Sequence, residues 1–223
     1  MFFRRDYSAP GPGIDPDQPE KTGIARFFEI LQLECGDLLK LNVLFVLSCV
    51  PLITIPPALF AMNQVVRKMV RDEPVDCFYH YRRAFCRFWR QAYAAFLLTA
   101  LPLGAAGWGG LFYLRGAQSN FLLLLPFVFC STVFLVTLLS APFLYALLAG
   151  GMEGRHALQL ALTMGVGRPG RSVPAAIAGL GLVTFGVLAF PFSGLYLLLI
   201  GFSLPCLLSN FLIRTILKPY QEG

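Results

Sequence analysis

The residues whose types suit metal binding lie together in one basic segment. Cys77, His80 and Cys86 read C-x2-H-x5-C within residues 76–91. This spacing matches no usual zinc pattern, and the segment offers no fourth ligand. We therefore predict no metal site.

Groups that could transfer protons are few and lie at charged boundaries. Asp72, Glu73 and Asp76 precede the same segment, and His156 follows Glu153 closely. General acid–base catalysis needs such groups held against a substrate, and no G-x-S-x-G, P-loop or H-E-x-x-H motif accompanies them. The sequence predicts no catalytic residue, no cofactor and no enzyme, and a lipid-acting enzyme would have only these groups to use.

Residues 76–91 read instead as an amphipathic helix at a membrane surface. On a helical wheel one face is aromatic, with Phe78, Tyr81, Phe85, Phe88 and Trp89. The other face carries Arg83, Arg87 and Arg90. Aromatic rings suit the acyl boundary and arginines suit anionic headgroups. These three arginines are predicted to contact either anionic lipid or an acidic partner subunit, and the apolar context argues against nucleic acid.

The chain that must position this segment is strongly apolar. Of 223 residues, 57% are hydrophobic and 13% are charged, and Phe occurs 21 times. Soluble domains are closer to 45–50% apolar and about 25% charged. This composition excludes a disordered chain, a nucleic-acid-binding domain and a disulfide-rich secreted module.

Apolar runs predict an all-α, polytopic membrane protein with about five transmembrane helices and two cytoplasmic amphipathic segments. A disordered polar tail at 1–21 and an interfacial helix at 22–37, with Thr22 as its N-cap, precede a transmembrane domain at 38–217. The predicted spans are 38–63, 92–114, 121–149, 173–192 and 194–213.

Prolines interrupt the first of these runs. Pro51, Pro56 and Pro57 should break the helix in its second half, because proline removes a donor and clashes with the preceding turn. The first run is therefore predicted either to cross with a break or to be re-entrant.

Basic residues predict how the spans are oriented in a cell membrane. Arg214 and Lys218, which follow the last run, are expected to reach the lipid headgroups. Most of the positive charge lies in loops 64–91 and 150–172 and in the C-terminus with these two residues. Such segments stay in the cytoplasm. Five spans then place the N-terminus outside, whereas a re-entrant first run places it inside.

Two further patterns concern helix packing. Residues 104–110 are rich in Gly and Ala, which suits close packing within the protein or against a partner's helix. Pro57-Ala-Leu-Phe-Ala and Pro142-Phe-Leu-Tyr-Ala are similar and suggest an internal repeat. Repeats occur in transporters and in scaffolds.

Residues 41–91 also resemble a known family. Leu41-Asn42, Pro51 with Thr54-Ile55-Pro56-Pro57-Ala58, the helix at 65–71 and the aromatic–basic segment ending at Gln91 are similar to the YesL-like bacterial membrane proteins, the family of domain of unknown function 624. The resemblance implies a multi-span helical protein that works beside ABC importers for oligosaccharides, and it supplies no catalytic residue.

Two functions follow as hypotheses. The first is a non-enzymatic accessory membrane protein that binds a carbohydrate ABC importer through its permease or ATPase subunits. The second is a small transporter or channel for a neutral solute. The apolar runs lack charged residues near their centres, which argues against ion coupling.

Overall fold

A computed structural model describes residues 23–117, 120–188 and 194–217. This part of the chain is all-helical, which confirms the predicted fold class at that level. Its helices are α1 (Ile24–Ser48), α2 (Ile55–Val70), α3 (Cys77–Arg87), α4 (Trp89–Ala117), α5 (Leu124–Ala149), α6 (Gly154–Gly167), α7 (Pro169–Leu188), α8 (Gly194–Leu199) and α9 (Ser203–Leu217). The predicted tail at 1–21, the Thr22 cap, the end of the fourth run and Lys218 lie outside the described residues.

The first predicted span is a helical hairpin rather than one helix. α1 continues from Ile24 to Ser48 without a boundary at 37, and a single 3-10 turn at Leu52–Thr54 joins it to α2. Pro51 precedes that turn. Pro56 and Pro57 lie in the first turn of α2, where a missing N–H costs no intrahelical bond. The break therefore falls before these two prolines, and they begin a helix instead of interrupting one.

The two helices of this hairpin are antiparallel. Arg26 near the start of α1 forms an ion pair with Asp72 just after α2, at 2.5 Å. The beginning of α1 thus lies beside the loop that follows α2. This geometry corresponds to the re-entrant alternative for the first run.

Three inner helices, α2, α5 and α9, contact one another in the middle of the fold. Gln64 on α2 lies 3.5 Å from the carbonyl oxygen of Ala149 on α5. Arg214 lies near the C-terminus of α9, and its Nη1 donates to the carbonyl of Val70 at the end of α2 over 2.9 Å. The C-terminal ends of these helices therefore meet, and the three helices run in the same direction.

Each inner helix is the second arm of a hairpin. α1 packs on α2 and α9, α4 packs on α5 and α2, and α7 packs on α9 and α5. Every first arm therefore contacts its own inner helix and that of another hairpin. The repeat predicted from Pro57 and Pro142 is thus present in the packing, and α9 adds a third copy in Pro205-Cys-Leu-Leu-Ser.

The middle hairpin, α4–α5, extends further than the first hairpin, α1–α2. Gln64 and Ala149, which meet, each lie seven residues after the repeat proline, so Pro57 and Pro142 occupy similar heights. α2 begins two residues before its proline, whereas α5 begins 18 residues before Pro142. The difference of 16 residues extends α4 and α5 by about 24 Å beyond the start of α2.

Short helices connect the hairpins. α3 packs against α2, and α6 packs against α5. A single residue, Phe88 or Arg168, separates each short helix from the next long helix. α5 and α6 pack closely at Gly165 because this residue has no side chain. A Cβ there would lie only 2.9 Å from the Ser140 Cα.

Two helices among the described residues are long and apolar enough to cross a membrane: Trp89–Ala117, and Phe121–Ala149, which is α5 with the 3-10 turn before it. They contain the predicted spans 92–114 and 121–149. The predicted span 194–213 is divided between α8 and α9. The five-span count is therefore not confirmed.

Candidate functional site

The residues considered as metal ligands do not converge. Cys77 is buried and its Sγ donates to the Asp37 carbonyl at 3.3 Å, while burial raises the pKa of Cys77 to about 12. His80 Nδ1 lies 2.9 Å from the carbonyl oxygen of Asp76, and Cys86 is exposed. Within the described residues no group of three metal-ligating side chains forms.

The acidic residues near α3 have structural partners. Asp76 is the N-cap of α3 and accepts from the Tyr79 backbone N–H at 3.2 Å. Asp72 pairs with Arg26, and Glu73 lies 3.4 Å from Arg71. These contacts account for the cluster at 72–76 as helix capping and ion pairing.

The aromatic face predicted for α3 is divided by the structure. Tyr81 is only 4% exposed, and Phe85 and Phe88 pack against the core formed by α1 and α2. Phe78, in contrast, is 60% exposed. Positions 77, 81, 84 and 88 form the buried stripe, and residue 78 lies about 100° from it on the helix.

The arginine surface consists of Arg82, Arg83, Arg87 and Arg90, all exposed. Phe88 is not helical, so Arg90 belongs to α4 and not to the helix that carries Arg83 and Arg87. This corrects the prediction of a single helix over 76–91.

Aromatic rings hold two of these side chains in place. Arg83 Nη1 donates to Tyr79 Oη at 3.2 Å, and its guanidinium lies 5.9 Å from the centre of that ring. The guanidinium of Arg87 lies 5.7 Å from the ring of Phe88. Among the described residues, the four positive charges of the surface have no carboxylate partner.

An exposed apolar turn is joined to the start of α4, the helix that carries Arg90. Val50, Leu52 and Ile53 are 76%, 79% and 69% exposed. The Tyr93 hydroxyl donates to the Ile53 carbonyl, which joins the turn to the first part of α4. Trp89 stacks near Tyr93, with ring centres 5.5 Å apart. The apolar turn thus lies beside the first residues of α4, where Trp89 and Arg90 follow directly on the helix that carries Arg83 and Arg87.

Asn42 is a structural centre that sequence reasoning did not identify. Its side chain is completely buried, and Nδ2 donates to the carbonyls of Leu197 and Leu198 at 2.8 and 2.7 Å. Oδ1 accepts from the backbone N–H groups of Phe202 and Ser203 at 3.0 Å. One amide therefore closes the end of α8 and the start of α9. Its partners lie more than 150 residues away, so no local pattern signals this role.

Polar contacts also join the C-terminal ends of the inner helices. Asn210 donates to Asn63 at 3.0 Å. Arg214, expected to reach lipid headgroups, instead donates to the Val70 carbonyl. Arg67 lies over Gly150, where a Cβ would be 2.1 Å from its Nη1. Cations at these carbonyl ends match the helix dipoles.

The small residues of α4 serve two surfaces. Ala106 and Gly110 are buried against α5, and a Cβ at Gly110 would lie 3.9 Å from the Cβ of Cys130. Gly104 and Ala105 are exposed, and a Cβ at Gly104 would meet nothing within 4 Å. Packing within the protein therefore explains the surface of Ala106 and Gly110 but not the surface of Gly104 and Ala105.

These features define an all-helical protein with two helices suited to a membrane. A family model described as "Protein of unknown function, DUF624" matches residues 38–110, which confirms the DUF624 resemblance. The matched region covers the α2–α3 unit, the apolar turn, the arginine surface and most of α4. No curated protein and no solved structure matches the chain.

Proposed function

We propose that this protein is a non-enzymatic accessory component of a membrane complex, associated with a carbohydrate ABC importer. The importer itself is taken from the family resemblance. Partner binding is supported by the outer face of α4, on which Leu101, Trp108 and Phe112 are 63%, 80% and 67% exposed.

The composition of this face suits a helix of a partner subunit. Gly104 and Ala105 lie between Leu101 and Trp108, so one helical face has small residues flanked by large apolar ones. Small residues let two membrane helices approach closely, which improves van der Waals packing in lipid. The face lies on the long middle hairpin, where a permease helix in the same bilayer can reach it.

Affinity purification of the intact protein from native membranes tests the proposal. We expect permease or ATPase subunits to copurify. Gly104→Leu should reduce their recovery about tenfold or more. A Cβ at Gly104 would meet no described atom within 4 Å, so the leucine side chain would project from the outer face of α4 into the space of the partner.

Val128→Leu is the matched control, since Val128 is a 58% exposed apolar residue on α5 of the same hairpin. It should leave recovery unchanged. Absence of transporter subunits from the wild-type sample would refute the proposal.

The alternative is a small transporter or channel for a neutral solute. One observation favours it: within the described residues the hairpin unit recurs three times around inner helices that carry buried polar residues such as Ser140 and Asn210. Reconstituted vesicles would then release trapped neutral sugars faster than protein-free vesicles. Equal release rates would exclude this function for the sugars tested.

A further inference from the structure

We propose that the arginine surface and the adjacent apolar turn together bind the headgroups of anionic phospholipids. This inference is independent of the proposed importer association. Arg83, Arg87 and Arg90 supply charge-assisted donors for phosphate oxygens. Val50, Leu52 and Ile53 supply apolar side chains that enter the acyl region beside them.

The start of α4 sets the depth of this site in the bilayer. No charged residue lies between Arg90 and Arg115 on α4. The intervening 24 residues are about 36 Å long as a helix, which is enough to cross a hydrocarbon core of about 30 Å. Arg90 therefore lies where the span meets the headgroups.

The apolar turn is held at the same depth. The hydrogen bond from Tyr93 to the Ile53 carbonyl ties the turn to the first residues of the span. Trp89, beside Tyr93, is 37% exposed, and tryptophan and tyrosine favour the membrane–water interface. Side chains of the turn would reach the outermost acyl carbons.

An anionic lipid matches the combination of arginines and exposed apolar side chains better than an acidic protein does. A soluble acidic surface would match the arginines but leave Leu52 and Ile53 in water. An anionic lipid satisfies both parts, since phosphate faces the guanidinium groups and the acyl chains cover the turn. The absence of a carboxylate partner among the described residues leaves the arginine surface open to phosphate.

Titration of the delipidated full-length protein in neutral detergent with short-chain phosphatidylglycerol tests this site, with bound lipid counted by native mass spectrometry. Combining Arg83→Gln, Arg87→Gln and Arg90→Gln should weaken binding on the order of a hundredfold. The control combines Arg71→Gln, Arg115→Gln and Arg155→Gln, three exposed arginines elsewhere. It removes the same charge and should retain most of the affinity.

A second variant separates a lipid from free phosphate. Leu52→Ser with Ile53→Ser changes two exposed side chains, so the fold should persist. It should weaken phosphatidylglycerol binding about tenfold and leave binding of inorganic phosphate unchanged.

Three results would overturn the proposal. Equal losses in both arginine triples would mean that only net charge matters. Unchanged phosphatidylglycerol binding by the serine variant would mean that the turn has no part in the site. Retained lipid binding by the first triple, with loss of a copurifying acidic protein, would assign the arginines to that protein instead.

Discussion

At the scale of single residues, Asn42 connects the first hairpin to the last. Its amide satisfies two carbonyls at the end of α8 and two N–H groups at the start of α9. Buried backbone groups that lose their partners cost about 1–3 kcal/mol each. The junction therefore depends on one side chain for four hydrogen bonds.

Asn42→Ala should lower the free energy of unfolding by about 2–5 kcal/mol. Circular dichroism during denaturation in mixed micelles measures this change. Ser48→Ala is the control on the same helix, since the Ser48 hydroxyl donates to the Leu44 carbonyl one turn earlier on α1 itself. It should cost less than about 1 kcal/mol. Equal effects of the two substitutions would refute the central role of Asn42.

Residue patterns predicted correctly that the arginines are exposed, but they did not indicate the four hydrogen bonds of Asn42. Helical spacing is local, so the exposure of Arg83 and Arg87 follows from their own segment. The role of Asn42 depends on residues 197–203, which only the tertiary fold brings near it. Arg214 was interpreted by its position at a span end, whereas the carbonyl of Val70 is its partner.

At the scale of elements, the α5–α6 contact depends on Gly165. A Cβ at this position would lie 2.9 to 3.1 Å from backbone atoms of Ser140 and Leu139, and backbone cannot move aside as a side chain can. Gly165→Ala should therefore destabilise the protein by about 1–3 kcal/mol, through overpacking.

Gly167→Ala on the same helix is the matched control. A Cβ there meets nothing within 4 Å, and alanine favours helix over glycine by up to about 1 kcal/mol. Thermal melting in the same detergent should give a lower melting temperature for Gly165→Ala. The melting temperature of Gly167→Ala should rise or, because residue 167 is the last of the helix, stay the same. A destabilisation shared by both would contradict the close-packing explanation.

The three prolines of the first run show how far a helix boundary can be predicted from the sequence. Pro51, Pro56 and Pro57 correctly indicated a break in the first run, but not its form. The same residues fit a kinked span or a turn followed by a new helix, because proline is excluded from helix interiors and accepted in a first turn. The ion pair of Arg26 with Asp72, 46 positions apart, decides for the hairpin.

At the scale of the whole molecule, three hairpins share a plan but differ in length. The sequence indicated the first two copies through their Pro-x-Leu-aromatic-Ala pattern. The third copy has Leu and Ser in the last two positions, so composition alone did not distinguish it from other apolar stretches. Similar packing reveals it.

Membrane topology can be tested directly on this plan. Single cysteines replacing Gln32 and Arg71, both exposed, should react with an impermeant maleimide from the same side of sealed vesicles. A cysteine at Asn120, beyond α4, should react only from the other side, because α4 is long enough to cross. A cysteine-free background excludes reaction of the native thiols.

Reaction of the cysteines at 32 and 71 from opposite sides would mean that the α1–α2 hairpin opens into a crossing segment. Such a result would contradict the antiparallel pairing of α1 and α2. It would also return the N-terminus to the side predicted from five spans.

The unequal hairpins have a mechanical consequence for the bilayer. If α4 and α5 cross while the α1–α2 turn stops near Arg90, the first hairpin adds to the cross-section of the protein at the headgroups of one leaflet only. The cross-section of the protein is then larger in that leaflet than in the opposite one. A wedge of this shape is accommodated best where the membrane bends toward the narrower side. The protein would then gather at curved regions and promote bending where it is abundant.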